Sequence, residues 1–142
     1  MAVMRDRPYG NSNFLVDFGT DDSGAMTAGF SEVIFPPFVA GPTESKQEQV
    51  ENATVGNVLI LKRGLTGSLD LYTWWNKARR GKAPQRRTVK VELLSEDQTT
   101  MVLTWRFRNV RPVSLSYSPL RAVEGGIVIE TVELAFDGKE MS

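Results

Sequence analysis

The 142-residue chain contains no histidine and no cysteine. Thiol nucleophiles, Ser-His-Asp triads, disulfide frameworks and imidazole or thiolate metal sites are therefore closed to it. What remains is carboxylate, hydroxyl, lysine and arginine chemistry. Asp17, Asp21 and Asp22 stand ahead of Gly24, but a calcium loop needs alternating Asp/Asn ligands and a closing glutamate. Ordinary turn chemistry accounts for them. Gly81-Lys82 lacks the upstream glycine of a phosphate loop, and Asn52-Ala53-Thr54 is a glycosylation sequon with meaning only in a secreted chain. No paired carboxylates stand at an identifiable cleft. The sequence therefore offers no catalytic residues, no metal ligands and no cofactor site.

Two other features could bind something. Lys77, Arg79, Arg80, Lys82, Arg86, Arg87 and Lys90 follow one another with no acid between them. Such a run reads as a phosphate-facing patch, as a solvated helix end and loop, or as the counterpart of acidic surface on a neighbouring copy. The chain has 17 basic and 17 acidic residues, yet residues 1–56 hold eight acids against three bases and residues 57–142 nine against fourteen. A neutral chain with segregated charge fits the third reading, because zero net charge gives little colloidal repulsion. Trp74, Trp75 and Trp105 could stack on bases. Trp75 and Trp105 lie on the apolar faces of their own elements, which favours core packing.

These groups must be held by something, and one helix organises the chain. Leu71, Trp74, Trp75 and Ala78 recur at i, i+3, i+4 and i+7, the spacing of an apolar helical stripe. Thr66 or Ser68 can cap it, Asp70 suits the positive end of its dipole, Lys77, Arg79 and Arg80 suit the negative end, and Gly81 suits the left-handed position that follows. Around it the alternation is of period two. Phe14, Val16 and Phe18 form the face of a strand, and residues 26–35 read as its hairpin partner. Residues 57–61, 88–94, 101–107, 113–117 and 127–136 read as further strands, with a break or bulge at Asn109 and Pro112. The last has Val128, Val132, Leu134 and Phe136 on one face and Ile127 and Ile129 on the other. Either the helix covers those isoleucines or a neighbouring subunit does.

The expected fold is mainly β: an antiparallel sandwich or barrel of about seven strands, with one helix over about 67–80 and a long extended loop over 36–56. It forms one domain, 1–142, with a loose arm over 1–12. Phe14, Leu71, Trp75, Trp105, Phe107 and Leu134 are its expected core. No apolar run approaches the ~18 residues that span a bilayer, and the N-terminus lacks the apolar stretch of a secretory signal.

The order of elements resembles the tail tube proteins of contractile bacteriophages and phage-like contractile injection systems. Four stretches carry the resemblance: Phe14-Leu15-Val16-Asp17-Phe18; Leu61-Lys62-Arg63-Gly64 running into Leu71-Tyr72-Thr73-Trp74-Trp75; Leu103 to Pro112; and Ile129 to Gly138. It implies a non-enzymatic subunit, related in fold to the type VI secretion protein Hcp. Such subunits form hexameric rings that stack into a hollow conduit for DNA or protein cargo inside a contractile sheath. The implied partners are the chain itself, sheath, baseplate and tail terminator proteins, and cargo passing without sequence-specific binding. The implied place of assembly is the bacterial cytoplasm, followed by a virion tail or an injection particle, with no membrane anchor. Two other readings stand beside this one: a monomeric nucleic-acid-binding β-barrel using the basic run, and a single-ring tube initiator or baseplate protein of the same family. On the leading reading the interface candidates are Glu44, Lys46, Glu48 and Glu51 in the long loop, Arg79, Arg80, Lys82, Arg86 and Arg87 in the basic run, and Ile127 and Ile129.

The stretch from Thr43 to Gln49 contains no apolar residue, so it has no hydrophobic reason to pack on its own domain, yet the loop exceeds the ~12–15 residues of ordinary connectors. Replacing residues 43–54 with a short Gly-Ser linker is expected to leave circular dichroism and thermal unfolding of the isolated subunit nearly unchanged. It is expected to abolish stacking into tubes, as seen by electron microscopy. Full-length tubes from the shortened protein would refute an assembly role for the loop, and failure to fold would place the loop in the core.

Overall fold

The computed structural model describes residues 2–21, 24–25, 29–40, 57–81 and 86–142. Its elements are β1 (Phe14–Asp17), β2 (Thr20–Asp21), β3 (Gly24–Ala25), β4 (Glu32–Ile34), β5 (Val58–Gly64), α1 (Asp70–Arg79), β6 (Arg87–Leu94), β7 (Met101–Tyr117), β8 (Ile129–Ala135) and β9 (Gly138–Met141). Seven strands join one antiparallel sheet in the order β1-β6-β7-β8-β5-β4, with β9 also beside β7; β2 and β3 pair separately. Among the described residues the architecture is mainly β with one helix, as expected, while most of the expected loop over 36–56 lies outside them. The order is linear, with β1 and β4 at its ends, so among the described residues the strands do not close a barrel.

The chain divides into two compact units, one of residues 1–29, 87–110 and 137–142, the other of residues 30–86 and 111–136. β7 contributes to both. Its expected interruption is a pair of bulges within one strand: between the Arg87–Val110 and Val89–Phe107 pairs, Thr88 of β6 faces both Arg108 and Asn109 of β7, and a second shift lies between Pro112 and Ser114. Asn109 takes a positive φ of 53° at the first bulge, a conformation asparagine tolerates better than most residues.

In the first unit, cross-strand register builds the core in rows. Phe14 pairs with Leu93, and Leu93 with Leu103; Val16 pairs with Val91, and Val91 with Trp105. Val89 pairs with Phe107, and the same alternation carries Phe18 to their face. Burial deepens along these rows. Phe18, Val89 and Phe107 are fully enclosed, whereas Phe14 and Trp105 are only half-buried. Two expected core residues are thus rim residues: Phe14, which opens the edge strand β1, and Trp105, although its cross-strand partner Val91 is buried. The N-terminal arm, expected to be loose, makes defined contacts. The Val3 N–H donates to Val102 O at 2.8 Å, and the Arg5 guanidinium pairs with Glu96 at 2.5 Å while lying 3.7 Å from the centre of the Tyr9 ring.

In the second unit, β5 and β8 share an inward face. Leu59 opposes Leu134, Leu61 opposes Val132, and Arg63 opposes Glu130, all buried. β4 pairs with β5 rather than with β1, whose partner is β6. The expected hairpin between the first two strands is therefore corrected. Alternation identifies a strand but not its partner, and the polar turn after β1 serves the short β2–β3 pair instead.

Helix α1 buries Leu71 and Trp74, with Trp75 and Ala78 half-buried at the edge of the stripe. Trp74, at 3% exposure, is the core tryptophan, not Trp75. A step of one residue turns the helix by about 100°, so adjacent tryptophans cannot both point inward. Trp75 instead lies between Tyr72, 6.1 Å away ring to ring, and the Arg79 guanidinium, 5.3 Å from its ring centre. Neither Thr66 nor Ser68 occupies the N-cap position, but the Ser68 Oγ accepts the N–H of Asp70, the first residue of the helix, at 3.4 Å. Its N-cap is Leu69, without a side-chain cap bond, and the Asp70 carboxylate accepts the Leu71 N–H at 2.7 Å. Gly81 follows the helix with φ 68°, as expected.

Trp74→Ala is expected to cost ~3–5 kcal/mol of unfolding free energy, and Trp75→Ala clearly less, on the order of 1–2 kcal/mol. Urea unfolding of the two variants measures this, and the opposite ranking would refute the placement.

Candidate assembly surface

The surface that α1 presents depends on what fixes its first turn. Arg63 follows Leu59 and Leu61 on the inward face of β5, where a guanidinium must be paired. Its side chain is 4% exposed, and its Nε donates to Glu130 Oε1 at 2.7 Å. Its Nη2 donates to Asp70 Oδ1 at 2.5 Å, with Nη1 3.4 Å from Oδ2. The Tyr117 hydroxyl donates to Glu130 Oε2 at 2.8 Å. One buried cation thus joins the end of β8 and the first residue of α1, while the tyrosine adds the end of β7.

The electrostatics follow this geometry. Burial works to lower the Arg63 pKa, but Asp70 and Glu130 outweigh it and hold it above the ordinary arginine value. Burial likewise works to raise Asp70, and the Arg63 hydrogen bond and charge, helped by the Leu71 N–H, hold it below its ordinary value. Burial, followed by the hydrogen bond to Glu130, pushes the Tyr117 phenol up to about 12. The group is a positioning device with no vacant acid or base.

Held this way, α1 exposes Tyr72, Thr73, Lys77 and Arg79, with Arg80 exposed at its C-cap. Arg86 is also exposed. Arg87 is not. It opens β6 at the same parity as the buried Val89 and Val91, is 7% exposed, and points Nη1 at the carbonyls of Phe18 and Gly19, 3.3 and 3.4 Å away. It is therefore corrected from a surface candidate to an interior residue. Ile127 precedes β8 and is 76% exposed, whereas Ile129 is half-buried opposite Gly64. Glu44, Lys46, Glu48, Glu51 and Lys82 lie outside the described residues.

Arg63, Glu130 and Tyr117 are not among the residues expected from the sequence to matter. Their signal was present: each charged residue occupies an inward position on a strand that is otherwise apolar at that parity. A charge at an inward position requires a partner. Among the described residues, no helix is long and apolar enough to cross a membrane.

Residues 10–140 match the family of the T4-like virus tail tube protein gp19. No curated protein matches the chain. Among solved structures, a chain of the anti-feeding prophage baseplate superposes with a TM-score of 0.71 at 22% identity, covering 97% of each chain. A chain of the sheath-tube complex of an extracellular contractile injection system, PVC, gives 0.69 at 19% identity, covering 95% of this chain and 91% of that one. Hcp1 from Flavobacterium johnsoniae gives 0.52 at 14% identity, covering 90% and 94%. At these identities the likeness is one of fold.

Arg63→Met strands two carboxylates and is expected to cost ~3–5 kcal/mol, with Arg63→Met/Glu130→Leu recovering at least half of that loss. The pH dependence has a fixed sign. Because Asp70 is held below its unfolded value of about 3.9, its contribution is complete above that value and disappears as pH falls through the lower folded pKa. Asp70→Asn is expected to flatten the stability curve in that acid window. Chemical denaturation across pH measures both effects. An additive double variant, or an Asp70→Asn curve as steep as the parent's, would contradict the network.

Proposed function

The chain belongs to the T4-like virus tail tube protein family, a family of structural tube proteins and not of enzymes, and from that premise we propose that it is the subunit of an inner tail tube. Copies close into hexameric rings, and the rings stack into a hollow conduit inside a contractile sheath. DNA or protein cargo passes through without being read by sequence. The family match over residues 10–140 carries the reading. The sheet edges at β1 and β4, which carry no further strand among the described residues, and exposed aliphatic residues near β8 support it, since unpaired sheet edges and apolar patches on a lone subunit invite association.

On this reading the partners are other copies of the chain, a sheath protein, and baseplate and tail terminator proteins. Assembly takes place in the bacterial cytoplasm, ahead of incorporation into a virion tail or an injection particle. The nucleic-acid-binding alternative loses support because Arg87 belongs to the interior. A single-ring initiator or baseplate role separates from the tube role by whether rings polymerise.

Light scattering and negative-stain microscopy of the purified protein over a concentration series test the proposal. The expected outcome is a six-copy species and stacked tubes. A monodisperse monomer at high concentration and physiological salt overturns it, and salt-dependent DNA binding by that monomer would establish the alternative.

A further inference from the structure

The connection between β7 and β8, residues 118–128, is not a slack loop. At its base the Ser118 N–H donates to Ile129 O at 2.9 Å and the Ile129 N–H to Ser118 Oγ at 2.8 Å. Beside it, the Leu65 N–H donates to Val128 O at 2.9 Å. Ile127 leans over Gly64, where its Cδ1 would lie 3.6 Å from an added Cβ. The loop is thus pinned at its base, and it holds out three large aliphatic side chains: Leu120 at 82% exposure, Val123 at 96% and Ile127 at 76%. Leu65 is also exposed. The loop's charges, Arg121 and Glu124, sit 3.5 Å apart and cancel. Between its limbs is a hollow of about 440 Å³.

From this we propose that the β7–β8 loop is a contact between copies of this chain, with Leu120, Val123 and Ile127 buried against a second subunit on assembly. The inference rests on the tube-subunit reading, which supplies the occupant. Three observations favour a second copy. A loop whose base is already fixed by hydrogen bonds has less conformational freedom to lose on docking than a free one. Its internal neutrality provides no charge with which to select a basic or acidic partner. The chain as a whole carries no net charge, so bringing copies together at an apolar contact meets no overall repulsion. Three neighbouring aliphatics exposed to this degree exceed the scattered apolar residues of an ordinary surface.

The absence of native cysteine permits a direct test. Val123→Cys, reacted with a maleimide, is expected to label rapidly in dissociated subunits and at least tenfold more slowly in material assembled from this protein alone. Leu120→Asp/Val123→Asp is expected to keep the melting temperature of the isolated subunit while raising the concentration needed for assembly at least tenfold. Undiminished labelling in assembled material, or assembly of the double variant at parental concentrations, overturns the contact while leaving the tube reading intact. Protection that appears only on adding a different protein overturns the second copy as occupant. A parent chain that never assembles overturns both the tube reading and this contact.

Discussion

A buried guanidinium holds the second unit in order. Arg63 lies where β5 would otherwise continue its row of leucines, and it divides its donors between Glu130 on β8 and Asp70 at the start of α1. Apolar residues of similar volume could match such a cluster in stability. What they could not supply is direction. A planar fork bonded to two carboxylates fixes both the distance and the rotation of the elements that carry them. The tryptophan stripe then has one seating, with Trp74 inward and Trp75 at the rim. The cationic end of the helix is left facing solvent.

For a chain in this family, what the subunit shows on its outside matters more than any reactive centre. The absence of histidine and cysteine removes the side chains most often used for catalysis near neutral pH. Among the perturbed groups, Arg63 and Tyr117 spend their hydrogen bonds on Asp70 and Glu130, and Asp70 adds to its bonds with Arg63 one from the Leu71 N–H. The features that the described residues leave at the surface are of another kind: sheet edges at β1 and β4, a cationic helix terminus, and an aliphatic loop tip. Each is costly or useless on a solitary subunit and useful between subunits.

Much of this could be read from residue order. The stripe Leu71, Trp74, Trp75, Ala78 located the helix, with observed limits of 70–79 inside the expected 67–80. Alternation located β1, β6, β8 and both halves of β7, and four stretches in order located the family. What period-two and period-3.6 patterns do not encode is partnership. Arg63 and Glu130 are 67 residues apart, so their match becomes visible only once β5 and β8 are paired. The same limit explains the mistaken hairpin, since β1 pairs with β6, far along the chain, while β4 pairs with the strand that follows it, β5. Arg87 was misread for a related reason. A run of basic residues looks uniform in sequence, but the strand that begins within it turns one member inward.

The central claim is that this chain builds a tube from copies of itself. Cryo-electron microscopy of material assembled from the purified protein tests it most directly. The account predicts closed six-membered rings of the fold described above, stacked around an open lumen. Particles without rotational symmetry, or a population that remains single subunits at every concentration, would contradict it.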